Sequence, residues 1–409
     1  SYLKQNEAIA AKLMKENRRN ANLSRYLSER AGYPVYDRTN FKYYPLGDDF
    51  FPDLLEELKA AERFIFLEYF IIQRGEMWDS VLKILEEKAA AGVDVRVLYD
   101  GMNSFSNLPH DYPKELEARG VRCRIFNPIR PAISTSQNNR DHRKILVIDG
   151  HTAFTGGVNL ADEYINRKVR FGHWKDNAVR LKGEAVKSFT VMFLQMWSVC
   201  AFRPEYDFDY GPFLDTGDHF HSPALNMDGY SIPFSDSPLD GEPVGHQVYL
   251  DIIYQARRYV YIMTPYLILD DDMVTALTYA AKRGVDTVIV MPHIPDKKYA
   301  YLLARTYYPE LLAAGVKIYE YEPGFTHAKI FVSDDEKAAV GSINLDFRSL
   351  YLHFECGTYL YRNSTVADVE KDFEKTLEKC IPVTLKDCAQ YNWFGTKAGR
   401  FLRLIAPLM

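Results

Sequence analysis

The stretch His142-Arg-Lys-Ile-Leu-Val-Ile-Asp149 returns with the same spacing as His327-Ala-Lys-Ile-Phe-Val-Ser-Asp334. A Gly-[Gly/Ser]-x-Asn tetrapeptide follows each copy, at residues 156–159 and 341–344. The apolar run in each copy predicts a buried strand, and residues two apart on a strand point to the same face. Each histidine is therefore expected to lie beside the lysine two positions further on.

The sequence that precedes each copy is repeated as well. A Gly-Val-Asp turn occurs at 92–94 and again at 284–286, and a Tyr-Pro pair that leads to Gly-Val occurs in both halves. The expected helices lie near Phe50–Ala61, Trp78–Ala91 and Tyr112–Arg119, and the expected strands lie at Phe64–Ile72, at Val93–Tyr99 and from Val121. This α/β order, present twice, predicts two similar domains, each a β-sheet flanked by helices.

The domain boundaries follow from the repeat. We place the first domain at residues 44–210 and the second at 211–409, because residues from about 205 to 245 are rich in Pro, Gly, Asp and Ser and are typical of a crossover. Each motif supplies only half of a site. The two domains are therefore expected to be related by a pseudo-two-fold axis, with the active site at their interface.

Residues 1–43 form a separate N-terminal segment in this interpretation. Ile9, Leu13 and Met14 recur at helical spacing, and a second helix is expected to begin with Asn22 as its cap. The segment has nine Lys/Arg against four acidic residues, a net charge of +5. A basic amphipathic segment can lie on an anionic bilayer, but a solvated helix packed on the main body has the same pattern.

Composition excludes several other classes of protein. The 409 residues carry a formal net charge of −5, which is unlike a nucleic-acid-binding protein. Five cysteines at wide spacings, without a C-x-x-C pair, indicate neither a disulfide framework nor a thiolate metal site, and they favour a reducing compartment. His219 and His221 form an H-x-H pair with no third ligand evident, so a solvent-facing loop is the preferred interpretation.

The paired motifs suit phosphoryl-group chemistry. One imidazole can attack phosphorus as a nucleophile, and a second can protonate the leaving oxygen. Lys144 and Lys329 supply positive charge for the phosphoryl oxygens, and Asn159 and Asn344 can donate further hydrogen bonds to them. This chemistry requires neither a metal nor a cofactor. Two complete motifs in matching places of a repeat also make ordinary core histidines a poor explanation.

Asp149 and Asp334 complete the motifs but are expected to be structural. Each lies seven residues beyond its histidine, which is about 23 Å along an extended strand. That is too far for contact with the same phosphate. We predict that both carboxylates pair or cap at a turn.

The motifs resemble the paired signatures of the phospholipase D superfamily, and the chain around them resembles bacterial cardiolipin synthases over nearly its whole length. The stretches that carry the second resemblance are Phe66–Ile71, Asn139–Lys144, Gly172–Asp176, Ser235–Gly241, Thr264–Tyr266, Asn344–Ser349 and the closing Arg403–Met409. His353 departs from the pattern, because relatives commonly have Asn there. The resemblance implies transfer of a phosphatidyl group from one phosphatidylglycerol to another through a phosphohistidine.

The resemblance also implies individual roles. His142 is the expected nucleophile and His327 the expected general acid and base. Members of the superfamily orient each histidine with an acidic residue downstream of its motif, which implies Asp176 for His142 and Glu355 for His327. Relatives usually carry N-terminal membrane helices, so an upstream anchor and a place on the cytoplasmic side of the cell membrane are expected.

Three alternatives stay open within the same chemistry. Water as the acceptor would make the protein a phospholipase D, another alcohol would make it a different phosphatidyltransferase, and a nucleic-acid substrate would make it a nuclease. The negative net charge counts against the nuclease. A lipid-binding scaffold without activity is the alternative from another class, and both intact His/Lys pairs count against it.

Overall fold

The computed structural model describes residues 3–103, 107–128, 139–201, 209–215, 225–390 and 403. Its helices are α1 (Glu7–Glu16), α2 (Arg18–Glu29), α3 (Gly47–Ala60), α4 (Glu76–Ala90), α5 (Tyr112–Ala118), α6 (Val186–Val199), α7 (Gly211–Leu214), α8 (Val244–Gln255), α9 (Asp271–Lys282), α10 (Lys298–Arg305), α11 (Tyr308–Ala313), α12 (Phe347–Tyr351), α13 (Thr365–Leu377) and α14 (Leu385–Gln390). His219, His221 and residues 404–409 lie outside the described residues.

The strands of the first half are β1 (Thr39–Tyr44), β2 (Phe64–Tyr69), β3 (Asp94–Asp100), β4 (Arg122–Phe126), β5 (Arg140–Asp141), β6 (Lys144–Ile148), β7 (Thr152–Gly156), β8 (His173–Lys175) and β9 (Ala178–Gly183). Those of the second half are β10 (Tyr230–Asp236), β11 (Tyr259–Met263), β12 (Asp286–Pro292), β13 (Lys317–Tyr321), β14 (Gly324–Thr326), β15 (Ile330–Ser333), β16 (Lys337–Gly341), β17 (His353–Tyr361) and β18 (Cys380–Val383).

The two large sheets have the same strand order, which confirms the predicted duplication of an α/β unit. The first sheet runs β1-β9-β7-β6-β2-β3-β4, and the second runs β10-β17-β16-β15-β11-β12-β13-β18. Along each of these strand orders, three neighbouring strands are parallel and the other pairs are antiparallel. The motif strands β6 and β15 occupy equivalent central places, so both motifs are held by fully buried strands.

Apolar clusters cover both faces of each sheet. Leu58 of α3 and Trp78 of α4 are buried against the outer face of the first sheet. A central cluster joins the two domains, because it contains side chains from both motif strands together with Phe189 of α6 and Phe373 of α13. Continuous apolar packing across the interface therefore fixes the position of the two motifs relative to each other.

Two short strand pairs connect the domains directly. β5 pairs in parallel with β17, and β14 pairs in parallel with β8. In each case the strand just before a motif histidine from one domain lies beside a strand from the other domain. The two motifs consequently meet where the domains exchange these strands.

The N-terminal segment is not detached, and that part of the prediction was wrong. Leu13, Leu23 and Leu27 are buried in one cluster with side chains of the second domain. The apolar face of these helices is therefore used for packing on the main body. The second helix also begins earlier than expected, at Arg18, because the side chain of Asn17 accepts hydrogen bonds from the first-turn amides.

Both domain boundaries shift in the structure. The boundary at residue 43 falls inside β1, which pairs with β9 in the first sheet. The boundary at residue 210 separates α7 from the domain on which it packs, since the Phe213 ring lies 5.2 Å from the ring of Phe64. Pro and Gly in this stretch resembled a linker, but Phe213 anchors it to the first domain.

None of the helices in the described ranges combines the length and apolar character that crossing a membrane requires.

Candidate active site

Strand register sets the position of the first motif histidine, His142. His353 pairs with Arg140 and Phe354 with Asp141, so the next residues on the two strands, His142 and Glu355, lie side by side. The backbone N–H of His142 donates to the carbonyl of Phe354 at 2.9 Å. Its Nδ1 lies 2.8 Å from Oε1 of Glu355.

The second histidine is placed by the same device. Phe325 pairs with Trp174 and Thr326 with Lys175, so His327 comes to lie beside Asp176. Nδ1 of His327 is 2.7 Å from Oδ2 of Asp176. The pairing implied by the family resemblance was therefore wrong: each carboxylate contacts the histidine of the other domain, because the strand that follows one motif pairs with the strand that precedes the other.

The two carboxylates differ in their surroundings. Asp176 is fully buried, which raises its pKa, but the neighbouring His327 and a hydrogen bond from the backbone N–H of Asn177 outweigh burial and hold the pKa below its usual value. Trp174 Nε1 also donates to Asp176, at 3.2 Å. Glu355 accepts a hydrogen bond from the Ser342 hydroxyl, and burial raises its pKa well above the ordinary value. Asp176 is thus held as a carboxylate more firmly than Glu355.

Gly157 of the first motif is required by the approach of Asp176. A Cβ added there would lie 2.0 Å from Oδ1 of Asp176 and 3.1 Å from the carbonyl oxygen of His327. The equivalent residue in the second motif is Ser342, whose hydroxyl binds Glu355 instead. The Gly/Ser difference between the motifs thus reflects how closely each carboxylate approaches.

Both motif lysines are buried next to their histidines. Lys144 and Lys329 are 1% exposed, and each ammonium group donates to the carbonyl oxygen of its own histidine. Burial lowers the pKa of Lys144 to about 8 and that of Lys329 to about 7. An anion bound between the two would favour their charged forms.

The surroundings of both imidazoles favour their neutral forms. Burial, followed by the charge of Lys144, holds the pKa of His142 well below its usual value. Burial and Lys329 lower the pKa of His327 to about 4, against the opposing effect of Asp176. A neutral imidazole that donates from Nδ1 to a carboxylate has its Nε2 lone pair available for attack on an electrophile.

The two motif asparagines line the cavity but differ in their bonding. Asn159 accepts from the backbone N–H of Ile71 at 2.9 Å and donates to the Tyr164 hydroxyl at 2.9 Å. The Asn159 amide thereby holds Tyr164, whose ring packs against His327. Asn344 has a buried Oδ1 with no hydrogen-bond partner among the described residues.

Asp149 and Asp334 lie away from the cavity and bind backbone. Asp149 accepts from the amides of residues 62–64, at 2.7–2.8 Å. Asp334 accepts in the same way from the amides of residues 257–259. Both residues have positive φ, 53° and 58°, at the turn that follows the motif strand. Asp149 therefore fixes the start of strand β2, and Asp334 fixes the start of β11.

A cavity of about 640 Å³ opens onto both histidines. Phe70 packs on His142 with ring centroids 4.8 Å apart, and Tyr164 and Trp174 pack on His327 at 5.5 and 5.4 Å. The lining also includes cationic and apolar side chains. A cavity with a charged base and aromatic walls suits an amphipathic phosphodiester.

Sequence reasoning did not identify Tyr164, Trp174 or Arg348 as cavity residues. Comparison of the two repeats could have found them, since each lies at a fixed offset from an Asn or an acidic residue of the motif set.

His142, His353 and Glu355 form the one His/Cys/Asp/Glu cluster in the described part of the chain with ligand atoms close enough for a metal. Lys144, Lys329 and Arg348 surround it, and these cations disfavour a divalent ion there.

Comparisons with known proteins agree with this geometry. The family model described as "Cardiolipin synthase, PLD-like domain" matches residues 54–197 and 249–377, one segment in each domain. A cardiolipin synthase of Geobacillus kaustophilus is 37% identical over 89% of this chain and 71% of its own length. One of Alkalihalophilus pseudofirmus is 36% identical over 92% of this chain and 73% of its own length.

Two further relatives extend the comparison. An uncharacterised protein of Streptococcus mutans is 53% identical over the whole chain, which covers 87% of that protein. The crystal structure of a phosphatidylserine synthase of Haemophilus influenzae superposes with a TM-score of 0.71 over 96% of this chain and 99% of the other, at 16% identity. That structure supports the two-domain fold alone.

The fold and the matched domains define an enzyme of the phospholipase D superfamily that transfers phosphatidyl groups. Within that superfamily, the chain belongs to the cardiolipin synthase family.

Proposed function

We propose that this protein makes cardiolipin from two molecules of phosphatidylglycerol, releasing glycerol, through a phosphatidyl-histidine intermediate. The observation that carries the proposal is the pair of histidines in one cavity, each held through Nδ1 by a carboxylate from the opposite domain. That arrangement directs two Nε2 atoms at a shared space, where a single phosphodiester can lie between them.

In the first half-reaction, Nε2 of His142 attacks the phosphorus of phosphatidylglycerol. The P–O bond to the headgroup glycerol breaks as the N–P bond forms, and His327 gives its proton to the departing glycerol oxygen. The anionic substrate raises the pKa of His327, so that the acid form is populated. Lys144 and Lys329 stabilise the phosphoryl oxygens in a site of low dielectric.

In the second half-reaction, the hydroxyl of another phosphatidylglycerol takes the phosphatidyl group. His327, now neutral, removes the hydroxyl proton as the new P–O bond forms and the N–P bond to His142 breaks. The two carboxylates support this division of labour. Asp176, the better stabilised anion, lies against His327, the histidine that must carry a positive charge before the first step and after the second.

Product analysis tests the proposed function. Incubation with phosphatidylglycerol vesicles, followed by lipid mass spectrometry, is expected to yield cardiolipin and glycerol. Phosphatidic acid as the sole product would make water the acceptor and overturn the synthase. Transfer only to added ethanolamine or serine lipids would assign a different alcohol, and cleavage of oligonucleotides alone would assign a nuclease.

The rim of the cavity supports a membrane contact. Loop 167–171 carries three cationic residues and Val169, which is 82% exposed, and it lies beside Ile294 through Gly172. Lys298 and Leu302 of α10 are exposed on the same rim, next to cavity residues Lys297 and Tyr299. Apolar tips among local positive charge suit an anionic bilayer despite the negative total charge. The free thiols fit a cytoplasmic face.

Charge reversal on the rim tests this contact. The double variant K168E/K298E is expected to lower binding to phosphatidylglycerol vesicles by at least about 30-fold in a sedimentation assay, since each basic residue near the surface contributes about 1 kcal/mol. K59E/K83E makes the same change of charge on α3 and α4 and serves as the matched control. Equal losses in the two variants would contradict a specific docking face.

A further inference from the structure

The internal repeat provides a built-in comparison of the two sides of the cavity. Four residues after the motif Asn, the first domain has Glu163 and the second has Arg348. Two residues before the orienting acid, the first domain has Trp174 and the second has His353. All four side chains line the cavity. The two sides therefore differ in charge at structurally equivalent positions.

On the side of the cavity next to His327, the acidic residue Glu163 is paired with a basic one. Glu163 forms an ion pair with Arg170, with an N–O distance of 3.2 Å. Trp174 packs its ring on His327 and uses its indole N–H on Asp176. These groups offer an aromatic wall whose indole N–H is engaged by Asp176 and whose one carboxylate is paired with Arg170 through Oε1.

The side next to His142 has a different character. Nε of Arg348 donates to Nε2 of His353 at 3.4 Å, which places the hydrogen of a neutral His353 on Nδ1. That Nδ1 is buried and has no hydrogen-bond partner among the described residues; its nearest carboxylate oxygen, on Glu355, is 4.0 Å away. A buried donor without an acceptor is costly, and a ligand oxygen would satisfy it.

Positive charge surrounds this unsatisfied donor. Burial, followed by the charges of Arg348, Lys144 and Lys297, holds the pKa of His353 well below its usual value. Lys297 lies over the ring of Tyr266 and makes no ion pair with the described residues. The acidic neighbours are engaged, because Asp346 caps α12 and Asp296 accepts from the Tyr266 hydroxyl. Fixed cations together with an orphan N–H form a site for an anion.

We infer that Arg348, His353 and Lys297 bind the phosphate of the acceptor lipid. This rests on the proposed function, in which the reacting phosphate lies between His142 and His327 and is served by the motif lysines. A second anion remains to be held, because a phosphatidylglycerol acceptor carries its own phosphodiester. In the acceptor lipid, a flexible three-carbon glycerol unit joins the attacking hydroxyl to the phosphate. The acceptor phosphate can therefore lie to one side of the line from that hydroxyl through the reacting phosphorus to His142. The subsite selects a glycerophospholipid over water or free glycerol.

The test compares two transfers that share the donor and the covalent intermediate. Exchange of labelled glycerol into phosphatidylglycerol uses an acceptor without a phosphate, whereas cardiolipin formation uses an acceptor with one. R348Q is expected to lower cardiolipin formation by about 10- to 100-fold, the usual range for a charged hydrogen bond, and to change glycerol exchange by less than about threefold. R348K, which keeps the charge, is expected to retain most cardiolipin formation.

The outcomes separate this inference from the function on which it rests. Equal losses of both transfers in R348Q and in a second variant, H353Q, would overturn the acceptor subsite, as would cardiolipin formation at the wild-type rate in both. Retained exchange in either variant establishes that it is folded. Wild-type protein that forms no cardiolipin would overturn the proposed function together with the subsite, whereas wild-type cardiolipin formation with equal losses of both transfers in the variants would overturn the subsite alone.

Discussion

Replacement of His142 by alanine is expected to lower cardiolipin formation by about four orders of magnitude or more, the scale on which loss of a covalent nucleophile acts. The physical reason is that the N–P bond of the proposed intermediate cannot form without Nε2 of His142, while His327 is needed as the acid and base. Initial rates by lipid mass spectrometry measure the effect. His110, which is exposed and does not line the cavity, gives H110A as the matched control.

H327A distinguishes the roles of the two histidines. H327A is expected to regain the rate of the first half-reaction when the donor is a phosphodiester with a p-nitrophenyl leaving group, because that group departs without protonation. H142A gains nothing from such a donor, since its N–P bond cannot form. Relief of H142A and not of H327A would reverse the two assignments.

The second large effect is expected at Asp176. D176N keeps the size of the side chain and its contact with the Asn177 amide but removes the negative charge 2.7 Å from Nδ1 of His327. We expect kcat to fall by about 10²- to 10⁴-fold, as for other carboxylates that hold a catalytic imidazole in its tautomer and stabilise its charged form. Steady-state rates at saturating phosphatidylglycerol measure this effect.

Asp149 provides the control for Asp176. It is also a buried carboxylate that accepts backbone hydrogen bonds, but it lies outside the cavity. D149N is expected to lower the free energy of unfolding by about 2 kcal/mol with little change in kcat of the folded protein. A fall in kcat for D149N as large as that for D176N would mean that both act through stability, and the role of Asp176 would be lost.

The motif strands could be predicted from the sequence because their signal is local. An apolar run that ends at an Asp expected in a turn predicts β6 and β15, and the i, i+2 relation places Lys144 and Lys329 beside their histidines. The repeat predicted two equivalent sheets. The structure confirms these features because they depend on hydrogen bonds and burial within a few residues of the motif.

The remaining features depend on contacts between distant parts of the chain. The pairing of β5 with β17 decides that Glu355 serves His142, and no periodicity in one sequence encodes that register. The basic helix α2 resembled a membrane-surface segment because its apolar face looks the same whether it packs on lipid or on the second domain. Asn159 was assigned to the phosphate alone, but its amide also holds Tyr164.

The most direct test of the account is identification of the covalent intermediate. H327A lacks the base that starts the second half-reaction, so after reaction with a p-nitrophenyl phosphatidyl donor it is expected to accumulate phosphatidyl-histidine. Peptide mass spectrometry under alkaline conditions, which preserve the N–P bond, locates the adduct. The account predicts the phosphatidyl group on His142. An adduct on another residue, or release of p-nitrophenol with no adduct formed at any time, would contradict it.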